Sequence, residues 1–358
     1  MEMKTIIDGH MHILQWQRSD GKSVFEALED YCNDNGISFV DNMCCSNNAD
    51  LWDGYEMDQS ILGAIVKLRN PNVFTHGCLY IPKDPAMRGK FRFRDQLEEL
   101  MELGLDGIKI CDFKPDAYNI LGVADNLDEY DDFIGCCEKN HVHMCWHVAD
   151  PSYFWDASKV TDAIKKRGWF YGDGNYVSYE YLISMAYRLI EAHPALHVML
   201  AHAFFKSNDP DEVVALLENH PNVTIDLAPG GEMFNGYREH YAKWYWIFRK
   251  FSDRFVYATD VAATSSDEYR SRIAGNVLRF LETDDEFDYS DTVRAHGIKL
   301  ESGPLENILH KNHERDVGIR PREIDKRALK RYIERYLPLM PDSNNKRMTE
   351  EFYRKELL

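Results

Sequence analysis

The sequence contains no run of about 18 apolar residues, the length a helix needs to cross a bilayer, so no segment of it reads as membrane-spanning. It is short of cations as well. Its 42 Lys and Arg stand against 60 Asp and Glu, a net charge of -18 at pH 7, and an acidic surface of this kind opposes a phosphate backbone, so no nucleic-acid partner is expected. The eight cysteines (Cys32, Cys44, Cys45, Cys78, Cys111, Cys136, Cys137 and Cys145) include no CxxC spacing. Several lie in or near apolar runs, which predicts reduced, mostly buried thiols in a cytosolic protein rather than a disulfide frame. The opening MEMKTIIDGHMHI lacks a long apolar stretch and a small-residue cleavage site, and the expectation is a soluble, unexported, cytoplasmic chain.

What is present is a regular alternation. With 358 residues, 44% of them hydrophobic, the chain can bury a large core. Short β-branched or aromatic runs recur at residues 5–12, 37–45, 73–81, 107–111, 142–148, 198–204, 223–227 and 255–261. Between them lie segments with apolar residues three or four apart, such as 93–105, 180–194 and 211–221, which predict helices. Strand and helix alternate throughout, and no GxGxxG follows the first strand. A closed (β/α)8 TIM barrel is therefore expected over 1–310, rather than an open doubly wound sheet. The stretch 151–179, rich in aromatics and Gly, predicts an inserted loop over the barrel mouth after strand 5. Residues 311–358, strongly charged and with helical spacing at 326–337, predict a C-terminal helical extension on or near the barrel.

Asp8, His10 and His12 alternate along the first strand, and a period of two points all three to one face, the barrel interior. Two imidazoles on rigid backbone can hold a divalent ion, although the same spacing also occurs in strands whose histidines merely pack. His147, His202 and Asp260 fall at the carboxyl ends of the fifth, sixth and eighth strands, the face on which barrels of this kind carry their chemistry. Three histidines and a carboxylate leave a position for water on a bound cation. His76 and His143 read as core or rim residues, and His141, His193, His197 and His220 as surface groups near the opposite end.

The motifs IDGHMH, GIKI, CWHVADP, LAHAF and YATD resemble the successive strand motifs of the amidohydrolase superfamily. The residues after His147, together with GDGNYVSYEYLISMAYRLIEAHP and FLETDDEFDY, resemble its amidohydrolase-2 branch of metal-dependent hydrolases and decarboxylases. The resemblance implies that His10, His12, His147 and Asp260 bind one divalent ion, zinc first and Mn, Fe or Co as alternatives, while His202 points at substrate. It also implies a second arrangement, in which a carbamylated Lys109 bridges two ions and His147 and His202 ligate the second.

The expected function is metal-assisted hydrolysis of a small-molecule amide, ester or lactone-like carbonyl, with Asp260 as proton shuttle and His202 as a polarising group. Nonoxidative decarboxylation of a small aromatic or unsaturated carboxylic acid uses the same ligand set and stays open, as does a noncatalytic binding protein retaining the fold. Cys111, Trp155, Tyr171 and Arg270 are the candidate substrate-binding residues. A homodimer accords with the charged tail and acidic barrel.

Overall fold

The computed structural model describes residues 4–45, 59–82, 84–230 and 233–358. Eight strands lie in chain order in one sheet: β1 (Ile7–Met11), β2 (Phe39–Met43), β3 (Val73–Gly77), β4 (Gly107–Phe113), β5 (His143–Val148), β6 (Val198–Leu200), β7 (Val223–Asp226) and β8 (Phe255–Val256). Neighbours pair in parallel from β1 through β8. The ring is closed by Gly9 N donating to Tyr257 O at 2.9 Å, Asp260 N to His10 O at 2.8 Å and His12 N to Val261 O at 2.8 Å. The barrel is therefore the expected (β/α)8 form. Every strand of the ring is buried on nearly all its residues, as parallel strands covered by helices must be.

The helices form where the sequence periodicity places them. Val24–Asn35 starts on a capping box between Ser23 and Glu26 and stops at Gly36, whose φ of 64° is a left-handed C-cap. Phe93–Leu103, Tyr179–Ala192 and Pro210–Asn219 cover the barrel. No helix among the described residues is long and apolar enough to cross a membrane, and all eight cysteines are free thiols.

Seven of the eight strands are shorter than the runs that predict them, β8 most of all, and β4 is longer. β6 stops at Leu200 and β8 at Val256 because the chain leaves the ladder into turns, with left-handed backbone at His202 (φ 58°) and Asp260 (φ 56°). An antiparallel hairpin, Glu286–Ser290 with Val293–His296, was not expected.

One expectation is corrected. The β1–β2 register shifts between Asp8 and Met11, so strict alternation breaks there. Ile7 packs on Phe39 and Phe74 at the floor of the barrel, Gly9 faces Val256 and His313, and His10 immediately after it also turns inward. Asp8 instead faces the helix layer, accepting from Tyr31 and Thr259 hydroxyls at 2.6 Å each.

Below the carboxyl ends of the strands lies a buried polar layer. Asp41 accepts from His76 Nδ1 at 2.9 Å and from His313 Nε2 at 2.8 Å, and His76 Nε2 meets His143 Nδ1 at 2.7 Å. His76 and His143 are thus core residues of the floor. His313 belongs to the helix Asn312–Asp316, which plugs the barrel from below. The rest of the tail runs over the outside. Asp325 N donates to Leu103 O at 3.1 Å, Tyr336 OH to Glu99 Oε2 at 2.9 Å, and Trp16 Nε1 to Thr349 Oγ1 at 3.0 Å.

Candidate functional site

A cavity of about 300 Å³ opens at the carboxyl end of the barrel, lined by His10, His12, Lys109, His147, His202 and Asp260. That size suits a small molecule. The expected residues are brought together, but not as one cluster. The ligand atoms of His10, His12 and Asp260 all lie within 4.8 Å of one another, and His147 stands outside that group. Its Nδ1 instead faces His202 Nε2 at 3.1 Å.

The hydrogen bonds behind each ring decide which nitrogen carries a lone pair. His10 Nδ1 is held by Asp226 Oδ2 at 2.7 Å and His12 Nδ1 by Met43 O at 2.6 Å. Both Nε2 atoms are then bare, and they converge on Asp260 Oδ1 at 3.6 and 2.9 Å. Burial, with the nearby Lys109 charge, lowers the His10 pKa well below its ordinary value, so this ring is neutral. Two lone pairs aimed at a carboxylate repel unless a cation lies between them. The donor set therefore fits a divalent ion.

The second pair repeats the pattern. His202 Nδ1 is tied to Ala228 O at 3.1 Å, and His147 Nε2 faces Asp150 Oδ1 at 3.4 Å. His147 Nδ1 and His202 Nε2 are left facing each other with lone pairs, and burial lowers both pKa values. Asp260 is held below the usual carboxylate range: burial pushes it up, but in the metal-free site the positive charge that His202, His12 and His10 carry when protonated, with the His12 hydrogen bond, outweighs that push. Asp226, its pKa raised by burial, braces His10 and His202 at once, since its Oδ2 holds His10 Nδ1 and its Oδ1 accepts from His202 N at 2.7 Å.

Lys109 Nζ sits between the pairs, fully buried, 3.4 Å from His10 Nε2 and 3.2 Å from Cys145 Sγ. No carboxylate oxygen among the described residues lies within hydrogen-bonding reach of it. Burial pushes the Cys145 thiol up, so the nearest sulfur is neutral. Burial opposes the ammonium, and the attraction that offsets it acts through space, from Asp226 and from the cysteines to the extent that they ionise, rather than through a carboxylate hydrogen bond.

Of the candidate substrate-binding residues, Cys111 lines the cavity. Trp155, Tyr171 and Arg270 do not. Trp155 donates to Val177 O at 3.0 Å inside the aromatic cluster after β5. Tyr171 OH donates to Asp150 Oδ2 at 2.7 Å. Arg270 is 1% exposed, its guanidinium on the Ala27 and Ala263 carbonyls and on Asp267, which makes it a brace between helices. Sequence reasoning missed Asp226, Lys114, Cys45 and Tyr269. Asp226 closes a strand and Cys45 closes the predicted run 37–45, so both could have been found by the rule that located His147; Lys114 sits at a bend and Tyr269 on a helix, and neither carries such a signal.

No protein-family model matches the chain, and no curated protein matches it. Solved structures do. The fold is similar to an uncharacterised TIM-barrel protein from Bordetella bronchiseptica (TM-score 0.55, 15% identity, 87% of this chain and 97% of that one). It is similar to a putative amidohydrolase from Staphylococcus aureus (TM-score 0.53, 14% identity, 88% and 99%). It is also similar to 2,6-dihydroxybenzoate decarboxylase from Rhizobium (TM-score 0.52, 14% identity, 88% and 99%). At these identities the likeness is one of fold.

Proposed function

We propose that the chain is a metal-dependent hydrolase acting on the amide, ester or lactone-like carbonyl of a small molecule. The observation that carries this reading is the convergence of the bare His10 and His12 Nε2 atoms on Asp260, with their Nδ1 atoms tied off by Asp226 and Met43 O. When bound, a divalent ion supplies Lewis acidity and makes hydroxide available near neutral pH. Zinc is proposed, and the same donors suit Mn, Fe and Co. Asp260 is ionised at neutral pH, and since its Oδ1 faces His12 and His10, Oδ2 is the atom free to take a proton from water and return it to the leaving group.

A second reading concerns the number of ions, and two observations favour two of them. With Nδ1 on Ala228 O, neutral His202 has no Nε2 proton to offer a carbonyl oxygen, so it suits a ligand better than a polarising donor. Lys109 is buried with no carboxylate in hydrogen-bonding reach, Asp226 attracting it only through space, and addition of carbon dioxide to its amine with release of two protons would replace the buried ammonium by an anionic group able to serve as a metal ligand.

The test is turnover by metal-loaded protein on panels of esters, lactones and amides with acid release as readout, run beside a carboxylate panel with carbon dioxide as readout. Acid release that disappears in Asp260→Asn is expected. Carbon dioxide release alone would replace hydrolysis with decarboxylation. Failure to take up any divalent ion, with no turnover on either panel, would support a binding role.

A further inference from the structure

The aromatic segment after β5 does not line the cavity, yet it is joined to it through one carboxylate. Asp150 follows His147 by three residues, and Ala149 between them adopts a left-handed φ of 60° that turns the chain back under the imidazole. Its Oδ2 accepts from Lys114 Nζ at 2.6 Å and from Tyr171 OH at 2.7 Å. Lys114 also donates to the Tyr171 oxygen at 3.0 Å and approaches Asp116 at 3.5 Å, so its three protons are all directed to protein oxygens. Asp150 Oδ1 is left with His147 Nε2, at 3.4 Å. Asp150, Lys114 and Tyr171 are all buried. Tyr171 is fixed in turn: its N donates to Phe154 O at 3.0 Å, and its ring packs on Trp155 and Tyr176 with centroids 4.9 Å away in each case.

We propose that Asp150 is the positioning residue of His147, and that Lys114 and Tyr171 lock Asp150 so that the His147 proton stays on Nε2 and the Nδ1 lone pair stays aimed at His202. The aromatic segment then serves the site by holding this carboxylate and not by touching substrate. An imidazole ligand depends on the partner behind it for both tautomer and orientation, and loss of such a partner typically lowers metal affinity about 10- to 100-fold. Lys114, although it lines the cavity, is consumed by this assembly and offers no free proton to an incoming anion. The proposal rests on the two-ion reading above, in which His147 and His202 are ligands of the second ion.

The test is Co(II) titration of the full-length protein, followed by visible d–d absorption, for wild type and for Asp150→Ala, Asp150→Asn, Tyr171→Phe and His147→Ala. Asp150→Ala should weaken the His147-dependent ion about 10- to 100-fold and change its band, leaving the ion that depends on His10 and His12 in place. Asp150→Asn keeps an acceptor oxygen and should recover part of the loss. Tyr171→Phe, which removes a single hydrogen bond, should shift affinity a few-fold in the same direction, and it keeps the proposal testable if Asp150→Ala leaves Lys114 unpaired and fails to fold. Wild-type affinity and spectrum in both Asp150→Asn and Tyr171→Phe, with the His147→Ala effect intact, would overturn the positioning role alone. No effect of His147→Ala would overturn the ligand reading beneath it.

Discussion

In the proposed mechanism Asp260 is the residue on which the chemistry turns, because it touches the first imidazole pair and keeps one oxygen for a proton. Asp260→Asn keeps the shape and removes the base, so turnover should fall about 10²- to 10⁴-fold with the circular dichroism spectrum unchanged; a rate within a factor of two of wild type would remove it from the mechanism. Asp41, on the barrel floor, makes a different prediction. Burial alone would raise its pKa, but the paired His76 and His313 outweigh burial and hold it below the usual range. A carboxyl depressed in the folded chain binds its proton later than in the unfolded chain, so its stabilisation is complete above about pH 4 and is lost as pH falls towards the folded pKa. Asp41→Asn should lower stability at pH 7 by about 3 kcal/mol and flatten the acid limb of a denaturation series; an unchanged acid limb would show that the pair contributes nothing. At this scale the sequence was informative where a residue lies at or just beyond the carboxyl end of a strand, as with His147 and Asp260. It was silent on which nitrogen of each ring faces the cavity, because that depends on Asp226, Met43 and Ala228, which are brought in by distant strands.

Among the elements, β4 and its neighbours show how closely the ring is fitted. A Cβ at Gly107 would fall on the His76 ring and lie 2.6 Å from the His143 carbonyl. Gly107→Ala should therefore cost about 1 to 3 kcal/mol or more, read as a lower melting temperature, and a neutral result would mean the floor layer can give way. The positions of all eight strands of the ring were legible from their apolar runs, but the ends of β6 and β8 were not. Left-handed backbone at His202 and Asp260 is carried by non-glycine residues, and nothing in residue type announces it; such backbone commonly sits at functional sites. The shift in β1 was hidden for a related reason, since it is set by pairing with β2 and against β8. The hairpin Glu286–His296 did carry a signal: Phe287 and Tyr289 are buried while Glu286 and Asp288 are exposed, a period of two that was readable in the residues themselves.

At the scale of the whole molecule, the tail and the barrel share one core, in which Leu329, Tyr332 and Phe352 join residues of the barrel helices. Trp16 depends on the helix Asn344–Glu356 for the partner of its indole and for the Phe352 ring, 6.2 Å away. Removing residues 344–358 should expose Trp16, red-shift its fluorescence and lower the melting temperature; a truncated chain as stable as the full one would show the extension to be an appendage. The sequence reading placed a helix at 326–337 from spacing and took the residues from Asn344 as a solvated or partner-packing end, where a helix packs on Trp16 instead; the insertion of His313 into the barrel floor depends on Asp41, more than two hundred residues earlier, and was not readable. The central claim is that His10, His12 and Asp260 hold a divalent ion. Its most direct test is the metal content of the protein purified without chelators, wild type beside a His10→Ala, His12→Ala double variant. At least one divalent ion per chain in wild type, lost in a folded double variant, is the predicted result. A wild-type protein that carries no ion and takes up neither zinc, manganese nor cobalt would contradict it.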